Sequence, residues 1–218
     1  MSVVVPTVTA YDLHEYRRQI ELITSFAPRI HVDLMDGIFA PTKSPDIDTV
    51  WLPSGVECDV HLMFQHPYLQ LRKVLSHNPG LVIVQAEAEK VSVQKCIAGL
   101  RQTRVRVGVS LLAMTDPNEA FASECIKNAS YVLIFSGHLG FHGGGVELSL
   151  LKKVAMIKAI NPSVEIGWDG GINFDNIQKL SAGGIDVLNT GGAIHKAIDP
   201  KKSYQQLVAL AKAASKMI

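Results

Sequence analysis

Cysteines, aromatic residues and any surplus of charge are scarce in this chain of 218 residues. Its three cysteines, Cys58, Cys96 and Cys125, are far apart and include no C-x-x-C pair. That excludes a disulfide framework and a thiolate zinc site, and it fits a reducing compartment. Lys plus Arg number 21 against 20 Asp plus Glu, a formal net charge of +1. There is no basic surplus and no charged tail to neutralise phosphates along a nucleic-acid duplex. No run approaches the roughly 20 apolar residues of a membrane helix. The opening MSVVVPTVTAYD lacks the basic n-region of a signal peptide. No G-x-S-x-G elbow, Walker loop or dinucleotide fingerprint is present. The expectation is a soluble, cytoplasmic protein that binds neither membrane nor nucleic acid.

What the chain does have is apolar residues, 47% of the total, enough to exclude disorder. Its length suits one α/β domain over residues 1–218, since α/β barrels of roughly 200–250 residues form single domains. Short β-branched runs fall at Val3–Val8, Arg29–Leu34, Val56–Met63, Leu81–Gln85, Val105–Leu111, Tyr131–Ser136, Val164–Asp169 and Ile185–Thr190. Between them lie stretches such as Asp12–Ser25 and Val146–Ala159, with apolar residues at helical spacing. Pro41–Leu52, with two prolines, reads as a loop plus a short helix. A final amphipathic helix follows Asp199–Pro200, with Lys201, Lys202, Lys212 and Lys216 on a solvated face. Strands joined by helical crossovers pair in parallel, and about eight such units close into a (β/α)8 barrel of the TIM type. An open doubly wound sheet would show the same alternation.

Polar residues interrupt these strands in one place. In a parallel barrel the C-terminal strand ends build the site. Residues at i and i+2 share a face, so the HVD of His31–Asp33 presents an imidazole and a carboxylate together. DVHLM adds His61 and WDGG adds Asp169. Two His and two Asp converging from separate strand ends suit a divalent ion such as zinc, manganese or ferrous iron. Each taken alone reads equally as a capping or hydrogen-bonding group. Glycine supplies a second constellation: His142–Gly145, Gly170–Gly171 and Gly191–Gly192 follow the last three strands. Consecutive backbone N–H groups there form an anion nest, which needs no basic patch. The alternative is that these glycines only permit tight turns. Met35 and Met63, two residues beyond Asp33 and His61, line the same pocket or fill core. His66, His77, His138 and His195 have no ligand spacing.

The segments HVDLMDGIF, DVHLM, GFHGG, DGGIN and DVLNTGGAIHKAIDP resemble the ribulose-phosphate 3-epimerase family, in order and from the first strand to the last helix. The resemblance implies a metal-dependent TIM barrel that interconverts ketose phosphates at C3. By that pattern His31, Asp33, His61 and Asp169 match the ligands of one divalent metal ion (zinc, iron, manganese or cobalt). Asp33 and Asp169 match the catalytic acid–base pair. Thr7 stands where the family has a substrate-binding Ser, Met35 and Met63 match pocket methionines, and Gly143, Gly170, Gly171, Gly191 and Gly192 match a phosphate cradle. The family also implies a homo-oligomer, a dimer or a hexamer. Epimerisation beside a ketone needs one ionised and one protonated acid–base group on opposite faces of the carbon, and a Lewis acid on the developing oxyanion.

The chain departs from the family pattern around the pocket. Gln85 replaces a His, Leu112–Ala113 replaces Asn-Pro, Phe135 replaces a third Met, and His138–Gly144 differs from the usual sixth loop. Gln85, Leu112 and Phe135 are therefore expected as altered walls. The expected reaction interconverts D-ribulose 5-phosphate and D-xylulose 5-phosphate. The alternatives are the same chemistry on another ketose phosphate, such as the hexulose allulose 6-phosphate, and a barrel that binds a sugar phosphate without turnover. A Schiff-base aldolase or isomerase is a third, poorer alternative, because the strand ends carry His, Asp and Gln rather than Lys.

Overall fold

The computed structural model describes residues 1–141 and 143–214; His142 and Lys216 lie outside the described residues. Eight strands run β1 (Val3–Thr9), β2 (Arg29–Met35), β3 (Glu57–Met63), β4 (Leu81–Gln85), β5 (Arg106–Leu111), β6 (Tyr131–Phe135), β7 (Glu165–Asp169) and β8 (Val187–Thr190). They pair in parallel in chain order, and β8 closes on β1. This is the (β/α)8 barrel, and closure excludes the open sheet. The outer ring comprises α1 (Leu13–Thr24), α2 (Leu71–Ser76), α3 (Lys90–Leu100), α4 (Ala120–Lys127), α5 (Lys152–Ile160), α6 (Ile177–Ala182), α7 (Gly192–His195) and α8 (Pro200–Ala214). None of these helices is long and apolar enough to cross a membrane.

The helix ends follow from local chemistry. Asp12 accepts from Glu15 N–H at 2.8 Å and so starts α1. Asp199 does the same for Lys202 N–H at 3.0 Å ahead of Pro200, and Lys201, Lys202 and Lys212 are exposed as expected. Two expectations are corrected. Pro41–Leu52 contains no helix. Pro45 disfavours helical backbone at Ser44, and the Ser44 hydroxyl is engaged with Met35 N and O instead. The helix expected at Val146–Ala159 begins only as a 3₁₀ turn at Leu148–Leu151, ahead of α5. The Ser136 hydroxyl accepts from Glu147 N–H and donates to Gly145 O, which holds this stretch as a loop.

Strand parity sorts the side chains. Ile30, Val32 and Leu34 of β2 pack in the shell between barrel and helices. Arg29, His31, Asp33 and Met35 alternate with them and point inward, registered against Glu57, Asp59, His61 and Met63 of β3. The barrel's waist is filled by Val5, Leu81, Ile83, Tyr131, Leu133 and Val187. Tyr131 occupies the space left by Gly167, where a Cβ would collide with the phenol. Below the waist the inward residues are charged and paired. Arg29 Nε lies 2.9 Å from Asp59 Oδ2 and its Nη1 3.4 Å from Glu165 Oε1, while Arg106 Nη2 reaches Glu165 Oε2 at 2.6 Å. Asp59 is fully buried. Burial, only partly offset by Arg29, pushes its carboxyl up to about 6.

Removing one partner of a buried pair leaves a charge uncompensated, at a cost of about 3–5 kcal/mol. Arg29→Met is therefore expected to lose about that much at pH 7.5 in urea unfolding. Without Arg29, the Asp59 carboxyl rises further, and the folded state holds the proton more tightly than the unfolded chain does. The lost stability is then partly regained at pH 5 and lost again as pH rises through the raised value. A variant as stable as the parent at pH 7.5 would show that the pair carries no stability.

Candidate active site

At the C-terminal strand ends the same parity delivers His31 and Asp33 from β2, His61 from β3 and Asp169 from β7 into one cluster. One nitrogen or carboxylate oxygen from each of these four residues lies within 4.8 Å of the other three. Asp33 is the hub. Its Oδ1 stands 3.2 Å from His31 Nε2 and 3.1 Å from His61 Nδ1, and its Oδ2 accepts from the Thr9 hydroxyl at 2.7 Å. Asp169 Oδ2 lies 3.9 Å from His31 Nε2. The outer ring nitrogens meet amides: His61 Nε2 is 2.9 Å from Gln85 Nε2, and His31 Nδ1 is 3.1 Å from Asn189 Nδ2.

The two carboxyls are pushed apart. Burial would raise Asp33, but the hydrogen bonds and charges of His31 and His61 outweigh it and hold the carboxyl far below its ordinary range. Asp169 receives little such help; burial and the neighbouring Asp33 charge push it up to about 7. Burial lowers both histidines as well. At His31 the hydrogen bond and charge of Asp33, with the charges of Asp169 and Asp59, together overcome it and the net shift is upward, whereas at His61 burial prevails. Two imidazoles and two carboxylates, buried together and aimed at one point, are a donor set that a divalent ion such as zinc, manganese or ferrous iron accepts. Among the described residues no Lys or Arg ion pair neutralises Asp33 or Asp169.

A cavity of about 240 Å³ opens beside this cluster, with Thr7, Thr9, Asp33, Met63, Phe135 and Asp169 in its walls. Its far side is glycine: Gly143, Gly144, Gly170, Gly171, Gly191 and Gly192 line it. They play different parts. Gly170 has φ +109°, and a Cβ there would collide with the Gly137 backbone, so this glycine lets loops six and seven touch. Gly192 has an ordinary φ and nothing within 4 Å of where its Cβ would stand. A methyl group there would enter the cavity.

Of the residues singled out from sequence, Thr7, Met63, Gly143, Gly170, Gly171, Gly191 and Gly192 line this cavity, as do Asp33 and Asp169. His31 and His61 lie fully buried behind Asp33. Met35 does not line it; it packs with Ala40 and Met63 and receives the Thr42 hydroxyl on its sulfur at 3.3 Å. Of the three expected wall changes only Phe135 is in the wall. Gln85 is fully buried against His61, and Leu112 is tied by its N–H to Glu87 and by its carbonyl to Lys153. Sequence reading missed Thr9, Asn189 and Lys196. Asn189 was recoverable from parity, two residues after Val187 on the assigned strand Ile185–Thr190, and Thr9 from the same parity had the first strand been read one residue past Val8. Lys196 lines the glycine side, one helical turn beyond Gly192.

The Ribulose-phosphate 3 epimerase family matches residues 3–195. The ribulose-phosphate 3-epimerase of Helicobacter pylori (strain J99) is 31% identical over 212 residues, covering 94% of this chain and 95% of the relative. That of Aquifex aeolicus is 26% identical over 220 residues, covering 96% and 97%. Among solved structures, 3-hexulose-6-phosphate synthase from Salmonella typhimurium superposes with a TM-score of 0.70 at 12% identity, covering 98% of this chain and 100% of the other. KGPDC from Streptococcus mutans gives 0.67 at 10%, covering 98% of this chain and 99% of the other; at such identity both show the fold alone. The chain belongs to the ribulose-phosphate 3-epimerase family, and with it to the isomerases that epimerise carbohydrates.

Proposed function

We propose that this chain is a metal-dependent 3-epimerase that interconverts D-ribulose 5-phosphate and D-xylulose 5-phosphate by two-base proton transfer. The observation that carries the proposal is the pair Asp33 and Asp169. They stand within one cluster of ligating atoms, with Asp33 held ionised and Asp169 pushed up to about 7. Two-base epimerisation needs that split: Asp33 takes the C3 proton from one face, and Asp169 returns a proton to the other. The Thr9 hydroxyl holds Asp33 Oδ2 in place, and His31 and His61 stabilise its charge. His31, Asp33, His61 and Asp169 would hold a divalent ion, zinc, iron, manganese or cobalt, whose positive charge stabilises the enediolate oxygen. Phe135 and Met63 shield the reacting carbon from water. Thr7, the Lys196 ammonium and the backbone of Gly143, Gly170, Gly171, Gly191 and Gly192 take the phosphate at the glycine side of the cavity. The proposal includes a cytoplasmic homo-oligomer, and one family relative, from Oryza sativa, is named a cytoplasmic isoform.

Solvent deuterium wash-in tests the chemistry. In D₂O, ribulose 5-phosphate is expected to lose its C3 proton signal with enzyme and divalent metal, and to keep it after chelation. Asp33→Asn and Asp169→Asn are each expected to lower turnover by about 10²–10⁴-fold, the usual worth of a positioned acid or base. Either variant turning over at the parent rate would overturn the two-base assignment. Faster exchange with a hexulose 6-phosphate would move the substrate to that sugar. Metal-loaded protein silent on every ketose phosphate would make it a binder.

The phosphate placement has its own test. Gly192→Ala should melt at the parent temperature, because its Cβ meets no protein atom, yet raise KM for the phosphorylated sugar at least tenfold, about 1.4 kcal/mol. An unchanged KM would place the phosphate elsewhere.

A further inference from the structure

Among the buried polar atoms without a partner are Gln85 Oε1 on β4, Ser110 Oγ on β5, Tyr131 Oη on β6 and Asn189 Oδ1 on β8. Gln85 and Ser110 are registered opposite each other on β4 and β5, and the Tyr131 phenol faces Asn189. The same two amides direct their nitrogens at histidine nitrogens, Gln85 Nε2 at His61 Nε2 (2.9 Å) and Asn189 Nδ2 at His31 Nδ1 (3.1 Å). A buried polar atom without a partner costs about 1–3 kcal/mol, so two amide oxygens left bare while their nitrogens face histidine nitrogens call for a common cause.

The inner nitrogens, His31 Nε2 and His61 Nδ1, converge on Asp33 Oδ1. A neutral imidazole whose inner nitrogen ligates a cation must carry its proton on the outer nitrogen. That outer N–H needs an acceptor, and an amide NH₂ is not one. Amide oxygen and nitrogen are nearly identical in shape, and a half-turn of the terminal torsion exchanges them. After that half-turn Gln85 Oε1 accepts from His61 Nε2–H and Asn189 Oδ1 accepts from His31 Nδ1–H. One rearrangement thus gives both amide oxygens a partner.

We propose that Gln85 and Asn189 are positioning residues that present carbonyl oxygens to the outer ring N–H groups of His61 and His31, and so fix the tautomer and ring orientation in which Nδ1 of His61 and Nε2 of His31 face a divalent ion. The proposal rests on the metal-site reading above. It assigns Gln85 a role toward the ion rather than toward the sugar. Loss of such outer partners weakens metal binding about 10- to 100-fold in histidine sites generally.

The test is calorimetric zinc titration of the full-length, metal-stripped protein, without turnover. Gln85→Met and Asn189→Leu keep the volume but remove the acceptor, and each is expected to weaken zinc binding by about 10- to 100-fold. Gln85→Glu and Asn189→Asp accept but cannot donate when ionised, and should bind zinc at least as tightly as the parent. In zinc-loaded protein with ¹⁵N-labelled histidine, the Nε2 proton of His61 and the Nδ1 proton of His31 should resonate downfield as hydrogen-bonded ring protons. They should move upfield in the Met and Leu variants. Met and Leu variants that melt like the parent and keep its affinity would overturn the positioning role. So would Glu and Asp variants that lose as much as the apolar ones, since the amides would then be donors. The Glu and Asp pair decides the matter if the apolar pair does not fold. A parent protein that takes up no zinc, manganese, cobalt or ferrous iron would overturn the metal-site reading itself.

Discussion

One carboxylate organises the top of this barrel. Asp33 Oδ1 is shared by His31 and His61, and its Oδ2 takes the Thr9 hydroxyl, so strands β1, β2 and β3 meet on a single side chain. Registry makes this possible: Asp33 is opposite Thr9 on one side and His61 on the other. A slip of one residue in β2 would turn Asp33, His31 and Arg29 outward into the apolar shell and bring Ile30, Val32 and Leu34 into the barrel. The shell and the site therefore specify the same register. That agreement explains how a strand reading RIHVDLM, with three charged or titratable residues in seven, is fully buried yet stable.

The legible part of this structure was whatever depends on local periodicity. Eight β-branched runs predicted eight strands within one or two residues at each end, and i, i+2 spacing alone put His31 and Asp33 on one face. Closure was not legible, because the alternation is common to open and closed sheets; it depends on β8 reaching β1. The crossover after β2 was misread because a proline-broken polar stretch carries no sign of whether its turns propagate. There, Ser44 bonding back to Met35 settled the backbone. The errors in the pocket have a different origin. Gln85 and Leu112 were read as wall changes from their place in chain order, but depth along a strand decides what a side chain touches. Gln85 is the last residue of β4 and points inward at the level of His61, whereas Phe135 at the end of β6 reaches the cavity. Asn189 and Thr9 were overlooked because single neutral polar residues in apolar strands carry little signal until the strands are placed side by side.

The two ends of the barrel treat buried charge in opposite ways. At the bottom, Arg29 and Arg106 are matched against Asp59 and Glu165 within hydrogen-bond reach, so the protein's own cations face its buried carboxylates. At the top, Asp33 and Asp169 face each other with only imidazoles between them. One carboxyl is driven down and the other up, because no Lys or Arg among the described residues pairs with either to hold both charges. Natural barrels leave buried charge uncompensated where function uses it. The same reasoning bears on the proposed substrate's own charge, since the cavity is lined by Gly143, Gly170, Gly171, Gly191, Gly192 and Lys196 as well as by Asp33 and Asp169. An anionic phosphate at the glycine end, and a cation with a polarised carbonyl at the other, is the arrangement that leaves neither end of the cavity with like charges in contact. In the proposed reaction a phosphorylated ketose would meet that requirement in one orientation, phosphate toward the glycines and ketone toward Asp33 and Asp169, and the polarity of the cavity would select which carbon lies between the two carboxyls.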